Sequence, residues 1–140
     1  MKDLVIKNYS EIPQSAMDIR IKVFVEEQGF FDDIDDMDAV ATHLLAFENE
    51  TPVGTCRVFT TDGKSFVMGR LAVLKDFRNC GIGAALLKNA EECVKRLGGS
   101  QVRIHSQLQA KGFYEFCGYT VCGDVEEEQG HPHIWLKKDI

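Results

Sequence analysis

In FRNCGIGAALL, residues 77–87, an arginine stands three positions before the first of two glycines, and an apolar, helix-like run follows. The first residues of a helix leave backbone N–H groups without partners. The helix dipole adds partial positive charge at the same place, worth about 0.3–1 kcal/mol to a nearby anion at an exposed site. Glycines at 81 and 83 remove Cβ atoms that would block close approach. Amides from Asn79 to Ala84 can then converge on a phosphate, with Arg78 adding a charge-assisted bond. The same residues also suit a plain strand-to-helix turn whose glycines only supply positive φ. Two familiar phosphate motifs are missing: there is no GxxxxGK[ST], and a GxGxxG fingerprint would need a glycine where Leu86 stands.

Other reactive side chains give weaker patterns. The five cysteines (Cys56, Cys80, Cys93, Cys117, Cys122) include no CxxC, which argues against a disulfide framework or a zinc site and fits a reducing, cytoplasmic setting. Cys80, beside Arg78 and a helix start, invites an acyl-cysteine mechanism, yet no Cys–His pair is identifiable from the sequence. The acidic run DDIDDMD lacks the glycine and terminal glutamate of a calcium loop, so no metal is expected, and such a run ordinarily reads as a solvated face. His43 and His133 stand at strand starts, where they can bond to backbone or carry protons near neutrality.

The elements that must position these residues follow from periodicity. Residues 3–8 alternate like a strand, and Ile12, Ala16, Ile19, Val23 and Phe24 recur with helical spacing before a stop at Gly29. HLLAFE and PVGTCRVFT read as two strands joined by a turn over residues 49–52, with another turn at Asp62-Gly63. FVMGRLAVL, residues 66–74, is nearly continuous in apolar residues, which predicts a central strand covered on both faces. Ile82, Leu86, Ala90, Cys93, Val94 and Leu97 make one helical stripe, ended by Gly98-Gly99. QVRIHS is another strand, residues 110–117 a short helix, and YTVCGDVE and HIWLKK two closing strands. Antiparallel strands followed by βα units predict a mixed α/β (α+β) fold over residues 1–140, a single domain with one mixed sheet and helices on both faces.

Composition agrees with a packed domain: 140 residues with 44% apolar content. The formal charge of -6 argues against nucleic acid as the main partner, and no apolar run approaches the roughly 20 residues that span a bilayer, so no membrane is expected. The start MKDLVIKNYSEIP has no long apolar stretch and does not read as a signal peptide.

Arg78-Asn79-Cys80-Gly81-Ile82-Gly83 after a core strand resembles the Gln/Arg-x-x-Gly-x-Gly/Ala pattern of the GNAT acetyltransferase superfamily. RLAVLKDF before it, ALL after it and FYEFCGY near the C-terminus resemble that superfamily in order and spacing, over essentially the whole chain. Arg20, Val23, Phe24, Glu27, Gln28, Asp35, Asp38, His43 and the GHPHIWL segment resemble its narrower ElaA-like or YjcF-like branch. The resemblance implies a fold with two parallel strands splayed apart and acetyl-CoA lying in the gap as acyl donor. Backbone groups of Leu71, Ala72 and Val73 would pair with pantetheine, and Arg78, Asn79, Cys80, Gly81, Ile82, Gly83 and Ala84 would hold the pyrophosphate, a position that turns Cys80 away from the thioester. Tyr114 would give a proton to the sulfur. Arg20, Glu27 and His133 would line the acceptor pocket, with Glu27 or His133 as base.

The reading is therefore an acetyl-CoA-dependent N-acetyltransferase in which a small-molecule or peptide amine attacks directly in a ternary complex. An acidic pocket would favour a cationic amine such as a polyamine, aminoglycoside or lysine, while aminosugar phosphates remain open. The resemblance also implies a homodimer through late strands. The rivals are a non-catalytic acyl-CoA-binding sensor, which needs neither Tyr114 nor a base, and an interaction domain that binds no CoA.

Overall fold

The structure, a computed structural model, describes residues 3–31 and 33–140; Asp32 of the acidic run lies outside them. Strand β1 (Leu4–Tyr9) leads through helix α1 (Gln14–Arg20) into a wider π-helical stretch, Ile21–Glu27, that ends before Gly29 at φ 77. β2 (Thr42–Glu48) and β3 (Thr51–Thr60) form a hairpin whose two turn residues, Asn49 and Glu50, both have positive φ, the geometry that matches strand twist. β4 (Phe66–Val73) and helix α2 (Ile82–Arg96) flank the glycine turn. β5 (Gln101–Gln107), α3 (Lys111–Phe116), β6 (Thr120–Val121), β7 (Glu126–Glu128) and β8 (His131–Asp139) complete the chain. Of YTVCGDVE, expected as one strand, only Thr120–Val121 forms one; another, Glu126–Glu128, begins at its last residue, and both pair with β8.

The sheet runs β1-β2-β3-β4-β5-β8-β6, with β7 also on β8. All neighbours are antiparallel except β4 and β5. Helix α2 covers one face. Its stripe Ile82, Leu86, Leu87, Ala90, Cys93 and Val94 packs on Leu44, Ala46, Val53, Val58, Val102, Ile104 and Leu136 in the main core. On the other face α1 and the π-helical stretch bring Ala16, Ile19, Val23 and Phe24 against Leu45 and Ala72. The mixed α/β sheet with helices on both faces thus matches expectation.

β4 departs from it. Its apolar run is not buried throughout, since Gly69, Arg70, Leu71 and Val73 are only half-buried. Thr55 faces Ala72 and Arg57 faces Gly69, so the single residue Cys56 opposes both Arg70 and Leu71. This is a β-bulge, and Arg70 carries its positive φ of 53. Parallel pairing with β5 stops at the same place: Phe66, Val67 and Met68 match Val102, Arg103 and Ile104, and nothing beyond is paired. The bulge bends β4 away from β5, and the two strands diverge into a gap.

Candidate active site at the split between two parallel strands

A cavity of about 330 Å³ opens on this gap. Its walls include Met68, Gly69, Arg70 and Leu71 of β4, Ile104, His105, Ser106 and Gln107 of β5, and Tyr114 of α3. Past Met68, β4 has lost its neighbour on the β5 side, which leaves an open strand edge at Leu71–Val73. Buried backbone groups need partners, so such an edge suits an extended ligand rich in amides.

The edge runs into the glycine turn. Asn79 and Gly81 take positive φ of 62 and 83, and α2 begins at Ile82 with no side-chain cap on its first amides. A Cβ at Gly81 would meet nothing within 4 Å, so its backbone conformation rather than crowding asks for glycine there. At Gly83 a Cβ would only touch Phe113 at 3.5 Å, an ordinary contact. The turn is braced by Arg78, whose Nε donates to the Val73 carbonyl at 2.8 Å and whose Nη2 donates to Glu27 at 2.9 Å. The open groups of the edge therefore exclude the Val73 carbonyl, and the N-terminus of α2 offers amides without acceptors. An extended ligand ending in a pyrophosphate fits that combination. Cys80 is exposed in the turn, and among the described residues no cysteine lines the cavity.

Tyr114 sits at the opposite side, 6% exposed. Its ring contacts Phe113 and Tyr119 edge-on, and its hydroxyl makes no hydrogen bond to another described residue. Burial pushes the phenol well above its ordinary 10.0, so it stays protonated.

Two of the three expected acceptor residues are placed elsewhere. Arg20 is 1% exposed and does not line the cavity. Its Nε donates to Asp33 at 2.6 Å, Nη1 and Nη2 grip both Asp38 oxygens at 2.8 and 2.9 Å, and Nη2 also reaches the Asp33 carbonyl. Each of its three guanidinium nitrogens bonds Asp33 or Asp38, so Arg20 braces the wall. Glu27, bonded to Arg78, likewise lies outside the cavity lining, beside the glycine turn. His133, by contrast, does line the cavity at 5% exposure, with Nδ1 2.9 Å from the His131 carbonyl. A carbonyl only accepts, so Nδ1 carries the hydrogen and Nε2 carries the lone pair of the neutral ring.

The acidic run is not a solvated face. Asp33 and Asp38 are buried, and Asp35 caps the single 3₁₀ turn Asp36–Ala39 through the Met37 amide. Arg57 bonds Asp35 through both terminal nitrogens and Asp38 through Nη1. Arg70 donates from Nε to the Asp33 carbonyl and from Nη2 to Asp35. Asp33 Oδ1 lies 3.2 Å from Arg70 Nε without receiving that proton. Three arginines thus match three aspartates. Burial alone would raise Asp38, but Arg20 and Arg57 outweigh it and hold its carboxyl far below the usual 3.8. The hydrogen bond from Arg57 does the same for Asp35. For Arg20, burial acts downward but Asp38 and Asp33 prevail, and the guanidinium is held more firmly charged.

Five further residues, His105, Glu126, Glu128, Arg57 and Arg70, were not singled out from the sequence. His105 stacks on Trp135 at 4.6 Å and lies 5.0 Å from His133 between ring centroids. Glu126 and Glu128 of β7 face the two histidines, with Glu128 Oε2 3.6 Å from His133 Nε2 and Glu126 Oε1 3.2 Å from His105 Nε2. The period-two spacing Glu126-x-Glu128 carries a signal, since alternate strand residues share a face, whereas His105 stands in no such pair. Arg57 and Arg70 gave no such pattern.

A family model described as an acetyltransferase (GNAT) domain matches residues 14–140. The uncharacterized N-acetyltransferase YjcF of Bacillus subtilis is 32% identical over 142 residues, covering 99% of this chain and 100% of that protein. The crystal structure of Escherichia coli ElaA superposes with a TM-score of 0.84 at 28% identity, covering 99% of this chain and 100% of that one. A GNAT family acetyltransferase from Elizabethkingia anophelis, solved with acetyl-CoA bound, shares the fold at a TM-score of 0.76 and 19% identity over 98% of both chains.

Proposed function

The chain belongs to the GNAT acetyltransferase family and is an acyltransferase, and on that premise we propose that it is an acetyl-CoA-dependent N-acetyltransferase whose amine acceptor, a small molecule or peptide, attacks the thioester directly. The observation that carries this is the gap itself. An open strand edge and a buried tyrosine border one cavity, and that edge runs on into an uncapped helix start.

Acetyl-CoA supplies the activated acetyl group. Leu71 and Ala72 hold the pantetheine arm along the open edge, and an edge N–H there stabilises the negative charge that develops on the carbonyl oxygen. Amides from Asn79 to Ala84 hold the pyrophosphate at the start of α2, where the helix dipole favours an anion. The Arg78–Glu27 pair keeps the turn against the π-helical stretch, which assigns Glu27 to positioning. His133 Nε2 takes a proton from the incoming ammonium, because only the neutral amine has a free electron pair. Tyr114 donates its proton to the departing sulfur and recovers through solvent the one that the nitrogen sheds. The balance is R–NH3+ plus thioester giving amide, thiol and one proton. The low-dielectric site that raises the tyrosine also raises a buried thiolate's proton affinity, which keeps donor and acceptor matched.

The test is thiol release from acetyl-CoA across a panel of primary amines, with initial rates at several concentrations of both substrates. Intersecting reciprocal plots are expected for a ternary complex. Parallel plots would replace it with an acyl-enzyme route. Acetyl-CoA binding without thiol release on any amine would leave a sensor.

A further inference from the structure

The charged groups of the cavity divide into two sets. The first is matched in charge: Arg20, Arg57 and Arg70 stand against Asp33, Asp35 and Asp38, with Asp33 Oδ1 and Arg57 Nε left without a hydrogen bond. The second, on the β5–β8–β7 side, is short of donors. His133 Nδ1 donates to the His131 carbonyl, which makes Nε2 of the neutral ring an acceptor. It faces another acceptor, Glu128 Oε2, at 3.6 Å, too far for a hydrogen bond. The same Glu128 oxygen lies 3.8 Å from His105 Nδ1. His105 Nε2 is 3.2 Å from Glu126 Oε1, yet it is buried without a hydrogen bond. A neutral His105 brings one ring hydrogen to these two carboxylates. Burial first, and then His133, lower its proton affinity and favour that neutral form. Among the described residues, no lysine or arginine pairs with Glu126 or Glu128.

Facing acceptors in a partly dry site call for a cation with several N–H groups between them. A primary ammonium has three. We propose that His133 Nε2 and Glu128, backed by His105 and Glu126, form the docking site for the acceptor as its ammonium ion, which makes the acceptor class cationic aliphatic amines. What the amine does next rests on the acyltransferase reading above. His133, nearly fully buried with its Nε2 turned to the cavity, is the atom to which the ammonium passes its proton, giving imidazolium and free amine. Glu128 then stabilises the imidazolium. Phe30, edge-on to His133 at 6.1 Å and stacked on His131, supplies an apolar wall for the alkyl chain. Cation preference therefore comes from β7. In the acidic run, Asp33, Asp35 and Asp38 are already paired with arginines.

The probe is n-butylammonium chloride against 1-butanol, the uncharged isostere, at constant pH and ionic strength. Imidazole NMR signals of His133 and His105 are followed in the whole protein and in a Glu128→Gln variant. Saturable movement with butylammonium and none with butanol is expected. In Glu128→Gln, apparent affinity should weaken about tenfold or more, the effect of losing one charge-assisted bond, while acetyl-CoA affinity stays at the wild-type value and certifies the fold. Equal responses to butanol, or unchanged butylammonium affinity in the variant, would overturn the site. Thiol release with n-butylamine separates the two readings. Binding as described without thiol release from any amine would remove the enzyme and leave the cation site standing. Thiol release by Glu128→Gln at wild-type kcat/KM would remove the site and leave the enzyme.

Discussion

The two regions proposed to hold the two substrates are made from different material. The proposed donor region is backbone: an open strand edge on β4 beside the cavity and, beyond the cavity lining, the bare amides at the start of α2. The proposed acceptor region is side chains drawn from the acidic segment and from β3, β4, β5, β7 and β8, locked by three arginines on one side and facing two histidines on the other. A backbone site tolerates exchange of most side chains and binds one shape of ligand. A side-chain site can change its ligand with a single substitution.

That contrast can be broken in order of effect. Arg20→Ala should destabilise the fold by about 3 kcal/mol in urea unfolding, because buried Asp33 and Asp38 lose their most buried partner and keep only Arg70 and Arg57. A loss near zero would mean that the network does not brace the wall. Tyr114→Phe should lower kcat about 100-fold with little change in acetyl-CoA affinity, the effect of one general acid. Equal turnover would remove its role. His133→Gln should cost on the order of tenfold in kcat/KM and abolish the acidic limb of the pH profile, where activity rises as the base sheds its proton. An unaltered limb would exclude it as the base. Gly81→Ala should cost about 1–2 kcal/mol for an L-residue held at φ 83, and acetyl-CoA binding should weaken if the turn relaxes.

The smallest effect is a pH slope. Asp35 and Asp38 have folded-state proton affinities below their unfolded ones. As pH falls below about 4 the unfolded chain takes up these protons first, so the stability they contribute is present above that pH and drains away beneath it. Urea midpoints at pH 7 and pH 3.5 should show this, and Arg20→Ala should flatten the slope. An equal slope in the variant would place the acid sensitivity elsewhere.

The sequence was most legible where local pattern and function coincide. Helix α2, its glycine turn and the hairpin of β2 and β3 rest on periodicity and on residues suited to positive φ, and all formed close to where expected. Legibility failed where partners are distant in the chain. Arg57 and Asp35 are 22 residues apart, and Arg70 and Asp33 are 37 apart. An aspartate run therefore looked like a solvated face although two of its members are buried. Arg20 and Glu27 looked like pocket residues because spacing cannot say which way a side chain turns.

By itself the sequence determined the order of elements, the βα unit with its uncapped helix start, and the placement of Tyr114 after β5, because each depends on contacts a few residues long. Tertiary structure alone decided the rest. The bulge at Arg70 ends parallel pairing and opens the cavity, and sheet register sets Glu126 against His133 and His133 against Gln107. Register and burial depend on which distant surfaces pack together, and those contacts convert one set of charges into a brace while leaving another facing the cavity.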